Sequence, residues 1–445
     1  MDKPNRQDVT KVLVVGGGLA GSEAAWRLAQ SGFSVVLIDM KPEKFSPAHR
    51  EPDLAELVCS NSLRSEDLLT GVGLLKWEMR FLGSLVLEAA DKTRVPAGKA
   101  LAVDRKLFAR YITSKIETHP LISRKCYELT SLQDELLEQF SAIILAPGPL
   151  VSSSLAKELK DLSQGELYFY DAIAPIVSAD SLDLSKMFWA SRYAEGKKDY
   201  LNIPLTREDY LNFVNELKNA QKVIPKEFEK ELHFEGCLPI EEMAKRGEMT
   251  LAFGPLKPVG LVDPKTQKQP FAVVQLRPEN KAKTAFNLVG FQTKLTYPEQ
   301  KRIFRMLPGL EQAEFLRLGS IHRNTFINAP RVLNSDLSLK VKPQIHLAGQ
   351  ITGVEGYVES AACGLMAGII VSYKLQRKKF LPPPPETSLG ALLHYLQIEQ
   401  KNFQPSNIHF GLFPPLVKKL KKRERKQAYS KRAQQKFREW LEQIQ

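Results

Sequence analysis

Cysteine is scarce in this chain: there are four in 445 residues, Cys59, Cys126, Cys237 and Cys363, far apart and without a Cys-x-x-Cys pair. That excludes a disulfide-stapled scaffold, and the lack of histidines at ligand spacing excludes a zinc finger or ribbon. The default for a free thiol is a small buried hydrophobe, and this is the expectation for Cys126. Long apolar runs are also missing. Gln139 to Ala156 is broken by Pro147 and Pro149, and Ser360 to Tyr373 stops short of the roughly 18 apolar residues a membrane span needs, so no transmembrane helix is expected. No signal-peptide apolar region precedes the first strand-like run at Val12, which gives the expectation of a cytoplasmic protein. No internal repeat is present. What remains is ordinary for a globular chain, 43% hydrophobic and 25% charged, and the length suits two or three domains.

Charge is unevenly spread. Of the net +13, residues 418–445 supply +8, with eleven Lys/Arg against Glu424, Glu439 and Glu442. A basic stripe of this kind attracts polyanions through counterion release, nucleic acid above all, although a solvated helix face has the same composition.

Residues 11–39 form a complete βαβ pattern. Lys11 to Val15 is strand-like, Gly16-Gly17-Gly18-Leu19-Ala20-Gly21 follows, Ala24, Ala25, Leu28 and Ala29 recur at helical spacing, and Gly32 precedes a second strand from Ser34 to Ile38. Glycines where a strand turns into a helix let the backbone approach a pyrophosphate at the positive helix end. Asp39 closes the second strand, where a carboxylate accepts hydrogen bonds from ribose hydroxyls. Two later segments favour FAD over NAD at this site: Ala142 to Pro149, a buried strand ending in a tight turn as in glutathione-reductase-type flavoproteins, and Gln344 to Gln350. The latter is a strand followed by Gly353, Gly356, Gly364 and Gly368, whose helix would aim its N-terminus at the flavin ring.

The expected fold is α/β: a discontinuous FAD-binding Rossmann-like domain (1–150 and 335–381), an inserted α/β domain (151–334), and a linker with a basic helical tail (382–445). Leu205 to Tyr210 reads as a helix start, Phe271 to Leu276 as a strand, Leu389 to Gln397 as helix, and the basic helix as beginning near 416. Cys237 lies just ahead of a helix read from Pro239 to Gly247, where the helix dipole favours a thiolate. Cys59 lies in the polar loop Leu57-Val58-Cys59-Ser60-Asn61-Ser62-Leu63-Arg64, leading to an expected helix from Glu66, and Asn61 and Arg64 could stabilise an anion there.

Eight ordered blocks carry a resemblance. They are Gly16 to Gly21, Glu56 to Arg64, Arg94 to Gly98, Ala100 to Arg105, Gly236 to Glu241, Phe253 to Leu261, His322 to Asn328 and Gly349 to Ser360. Together they are similar to the folate- and FAD-dependent tRNA uracil-C5 methyltransferase family, from about residue 11 to the basic tail. Asp39 stands where the family more often has Glu, Ile203 where Cys is common, and Cys363 where a small residue is common. The resemblance implies C5-methylation of uridine-54 in the tRNA T-loop, with 5,10-methylenetetrahydrofolate as carbon donor, FAD as methylene carrier and hydride source, and NAD(P)H as reductant. It maps the family's two functional cysteines onto Cys237, taken as nucleophile, and Cys59, taken as acid/base partner, with the reverse assignment as the alternative. Expected cofactor contacts are Gly16, Gly17, Gly18, Leu19, Ala20, Gly21, Asp39, Gly349, Gln350, Gly353 and Gly356; expected substrate contacts are Tyr357, His322, Arg323 and Asn324. The same reaction on 23S rRNA and a small-molecule flavin oxidoreductase are the alternatives.

Overall fold

The computed structural model describes residues 11–162, 167–192, 196–223, 238–401, 403–417 and 420–444. Strands with near-continuous apolar runs are the ones expected to be buried on both faces of a parallel sheet. Five strands form it, in the order Ile345–Leu347, Ala142–Leu145, Lys11–Val15, Ser34–Asp39, Ile122–Cys126, all parallel, and only the last, an edge strand, is mostly polar and exposed. The chain therefore starts in the middle, builds outward to one edge, then crosses to the other side. The reversal falls between Lys11–Val15 and Ala142–Leu145, and ligands in such sheets bind at that switch point, beyond the carboxyl ends of the strands.

Close backbone packing explains several glycines. At Gly21 a Cβ would lie 1.8 Å from the Gly16 carbonyl oxygen, so the Leu19–Gln30 helix can leave the first strand only with glycine there. The Tyr357–Leu375 helix packs on this first helix through Gly364 and Gly368, one turn apart. Cβ atoms on them would meet the carbonyl oxygens of Ala20 at 2.1 Å and Ala24 at 3.1 Å. That second helix is long and apolar enough to cross a membrane, but 83% of its apolar window is buried inside the protein, as befits a core helix that is hydrophobic all round.

A second body carries a six-stranded antiparallel sheet in the order Phe188–Ala190, Tyr200–Leu205, Ala272–Pro278, Ala285–Leu288, Ile176–Ser178, Phe315–Arg317. It has its own core, in which Ile203, Phe213, Phe291 and Phe304 pack together. The Arg207–Asn219 helix starts where expected, with Thr206 and Asp209 forming a reciprocal capping box. A two-stranded ribbon, Leu167–Ala172 against Ile321–Phe326, places Asp171 opposite His322.

Three expectations need correction. The helix expected from Glu66 begins at Gly71, because Ser62–Ser65 pairs as a strand with Ala100–Val103 and Thr70 provides the N-cap, accepting from the Gly73 N–H. The tail helix spans Lys422–Ile444, not from about 416, and the carbonyls of Pro414 and Pro415 ahead of it accept from the Arg432 guanidinium. Cys126 is exposed, since it ends the edge strand of the parallel sheet, and its thiol approaches the Met40 carbonyl at 3.4 Å.

Candidate active site

A cavity of about 430 Å³ opens at the switch point. Gly16 to Ala20 line one end. Gly16 has φ +96°, and a Cβ there would lie 2.3 Å from the Ala146 carbonyl oxygen, so the turn is pressed against the neighbouring strand's end. At Gly18 an added Cβ would meet no atom within 4 Å. The space at the helix N-terminus is thus open to a ligand, and the backbone there can approach a pyrophosphate. Asp39 is fixed beside this turn by the N–H groups of Gly17 (2.5 Å) and Lys41 (2.8 Å) and faces the cavity with acceptor capacity left for hydroxyls. The residues present fit the adenosine-diphosphate half of FAD.

A further stretch of the cavity wall is built from Gly349, Gln350 and Gly356 to Val358, with Gly349 lying close against Ala20 of the first helix. Gly353 and Gly21 do not line it. Gly353 has φ +94° and a Cβ there would strike the Phe403 ring at 2.5 Å, so it serves the turn.

Cys59 lines the same cavity, and its loop is held from three sides. The Tyr357 hydroxyl accepts from the N–H groups of Cys59 (2.6 Å) and Ser60 (3.2 Å). Arg105, paired with Glu279, donates to the carbonyls of Leu57 and Cys59. Arg277 donates to the side chains of Asn61 (2.6 Å) and Ser60 (2.7 Å). The two neighbours expected to stabilise a thiolate are turned elsewhere. The Asn61 amide donates to the carbonyls of Val103 and Pro278, and Arg64 pairs with Glu359. Burial pushes the Cys59 thiol up to about 12, helped by the Asp171 carboxylate and opposed by Arg105. It is a neutral thiol at physiological pH, 3.8 Å from the Ala172 carbonyl.

The ribbon adds the last wall. Strand alternation sends His322 and Asn324 into the cavity and Arg323 to the opposite face, where it lies 4.1 Å over the Tyr168 ring. His322 is pushed down to about 4 by burial and by Arg317, and His49, also on the wall, to about 4 by burial and then by Lys41. Both rings are neutral. Glu355 lies on the floor with its carboxyl raised well above the usual range, first by burial and then by Asp171. Tyr357 is a lining residue tied to the Cys59 loop. Cys237 lies outside the described residues, but Ile240, just beyond it, donates its N–H to the carbonyl of Gln292, a cavity residue.

Sequence reasoning missed Asp171, Glu355, Arg277 and Arg105 as parts of this site. A signal existed for Arg277, a charged residue ending the otherwise mostly apolar Ala272–Pro278 strand and buried with it. None existed for Asp171, which reaches the cavity through ribbon pairing.

The chain matches the family model described as glucose inhibited division protein A over residues 11–379. It is 58% identical over 435 residues to the methylenetetrahydrofolate–tRNA-(uracil-5-)-methyltransferase TrmFO of Nitratidesulfovibrio vulgaris, covering 97% of this chain and 92% of that one. With the protein of the same name from Aquifex aeolicus it is 57% identical over 435 residues, covering 97% and 96%. Among solved structures, Aquifex aeolicus GidA in its form II crystal aligns with a TM-score of 0.67 over 98% of this chain and 74% of that one, at 16% identity, a likeness of fold.

Proposed function

From the premise that the chain belongs to the glucose inhibited division protein A family, and within it to the methylenetetrahydrofolate–tRNA-(uracil-5-)-methyltransferases, we infer an enzyme that methylates C5 of a uridine in tRNA. It uses FAD, takes its carbon from 5,10-methylenetetrahydrofolate and oxidises NAD(P)H. The target is uridine-54 of the T-loop, and the enzyme works in the cytoplasm. The observation that carries the reading is that one cavity is lined both by the glycine turn and by Cys59.

When bound, FAD supplies hydride and carries the one-carbon unit. The chain's own residues do the rest. Uracil C5 is a poor nucleophile until a thiolate adds at C6, and this role falls to Cys237. Cys59 enters as a thiol, so it can donate a proton or a hydrogen bond to the ring, and it accepts the C5 proton only after passing its own to a neighbour such as Asp171. Tyr357, Arg105 and Arg277 hold the Cys59 backbone still while this happens. His322 and Asn324 face the substrate from the ribbon.

The test is methyl transfer to tRNA carrying uridine or cytidine at position 54, beside a 23S rRNA fragment, using wild type and Cys237→Ala. Product only on uridine-54 tRNA, lost in Cys237→Ala with FAD retained, is the expected result. With 5-fluorouridine at the target, wild type should trap an RNA adduct that peptide mapping places on Cys237. An adduct on Cys59 reverses the two roles, and product on rRNA alone overturns the tRNA assignment.

A further inference from the structure

Arg64 has a backbone that few side chains adopt, with φ +62°, and the fold goes to some length to keep it there. The ammonium of Lys76, wholly buried, donates to three successive carbonyls, those of Leu63 (2.7 Å), Arg64 (3.1 Å) and Ser65 (2.7 Å). The Ser62 hydroxyl accepts the Arg64 N–H at 3.1 Å. Burying an ammonium is costly unless its donors are satisfied, so this is a built support and not a chance contact.

The guanidinium it presents lies at a defined place. It pairs with Glu359, a fully buried carboxylate in the first turn of the Tyr357–Leu375 helix that also accepts the Ile408 N–H at 2.9 Å. The empty Cβ position of Gly356, at the cap of that helix, is 3.2 Å from Arg64 Nη2 and 2.5 Å from Glu359 Oε2. Arg64 lines the cavity with its side chain 37% exposed, although its partner has no exposure at all. The guanidinium and the positive helix end thus face one stretch of the wall of the cavity that the turn at Gly16 to Gly18 also lines.

We propose that Arg64 is a positioning cation for the pyrimidine edge of the FAD ring, stabilising the negative charge that this edge gains on reduction, with Glu359 setting how much of that cationic charge is felt. It rests on FAD occupying this cavity. Nearby charge is one of the few levers a protein has on a flavin's electronics. The buried Glu359 partially neutralises Arg64, so the two residues act on the reduction potential with opposite sign.

The experiment measures flavin content and two-electron potential, by equilibration with redox dyes, in purified FAD-loaded wild type, Arg64→Ala, Arg64→Lys and Glu359→Gln. Arg64→Ala should lower the potential by at least a tenfold change in the reduced-to-oxidised ratio, about 30 mV for a two-electron couple. Arg64→Lys should fall between it and wild type, and Glu359→Gln should raise the potential. If Arg64→Ala fails to retain flavin, the opposite shifts of Arg64→Lys and Glu359→Gln decide the matter. Unchanged potentials, or shifts of the same sign in both positions, overturn the proposal. Absence of flavin from wild type would instead overturn the FAD reading on which it rests.

Discussion

At Gly18 the absence of a side chain is matched by the absence of any protein atom within 4 Å of where one would stand. Gly18→Val should therefore fold normally and lose FAD. A melting temperature equal to that of flavin-stripped wild type, with loss of the visible flavin absorbance, is the expected pair of observations, and retained absorbance would put the pyrophosphate elsewhere. Gly16 and Gly21 are different: their missing Cβ atoms would strike backbone, so substitution there should damage the fold first. The motif was legible in the sequence because strand, glycines, helix and acid are neighbours in the chain. Which glycine faces the ligand and which faces protein was not, since it depends on Ala146 and on the pitch of the first helix.

Two helices in the flavin-binding body are capped from outside their own sequence. Glu78, in the Gly71–Phe81 helix, accepts the N–H groups of Ser388 (2.7 Å) and Leu389 (2.8 Å) at the start of the Ser388–Tyr395 helix. Glu23 does the same for Leu85 and Val86. Burial lifts Glu78 from 4.5 to about 8, ahead of the hydrogen bonds that pull it down. The folded state then holds the proton more tightly than the unfolded chain, so this stabilisation is full below about pH 4.5 and is lost as pH rises through about 8. Glu78→Gln keeps one carbonyl acceptor, as the protonated acid does, and cannot ionise, so it should be close to wild type in stability at pH 5 and the more stable of the two towards pH 8 in thermal melts; parallel curves for the two proteins would contradict the shift. The existence of the Ser388–Tyr395 helix was readable from its apolar residues, but its cap was not, because Glu78 is distant in sequence. The Cys59 loop was misread for the same reason: its bracing groups, Tyr357, Arg105 and Arg277, come from three other regions, so local polarity suggested a thiolate where the fold makes a half-buried, neutral thiol.

Across the whole molecule the basic tail has two faces with different duties. Ala433, Phe437 and Trp440 are buried, with Phe437 5.5 Å from the Trp77 ring and the Trp440 indole donating to the Leu381 carbonyl at 2.9 Å. Lys421, Arg423, Arg425 and Lys426 are exposed at its start. Deleting the tail would therefore uncover core. Replacing these four residues with Glu is the cleaner test: tRNA affinity should fall and its salt dependence flatten while flavin content and reduction by NAD(P)H persist. Unchanged affinity at moderate salt would make this face a merely solvated one. The charge run was plain in the sequence, whereas the apolar stripe between the lysines acquired meaning only once Trp77 lay across it. This helix is also synthesised long after the residues it covers. At roughly 5–20 residues per second, translation of the chain leaves Trp77 without Phe437 and Trp440 for tens of seconds, and the Ala142–Leu145 strand without its Ile345–Leu347 neighbour for much of that time. A nascent polypeptide of this design exposes an open sheet edge until Ile345–Leu347 emerges and an aromatic surface until Phe437 and Trp440 do, so messages truncated before Lys422 should yield products held by chaperones or degraded, however intact their nucleotide fold.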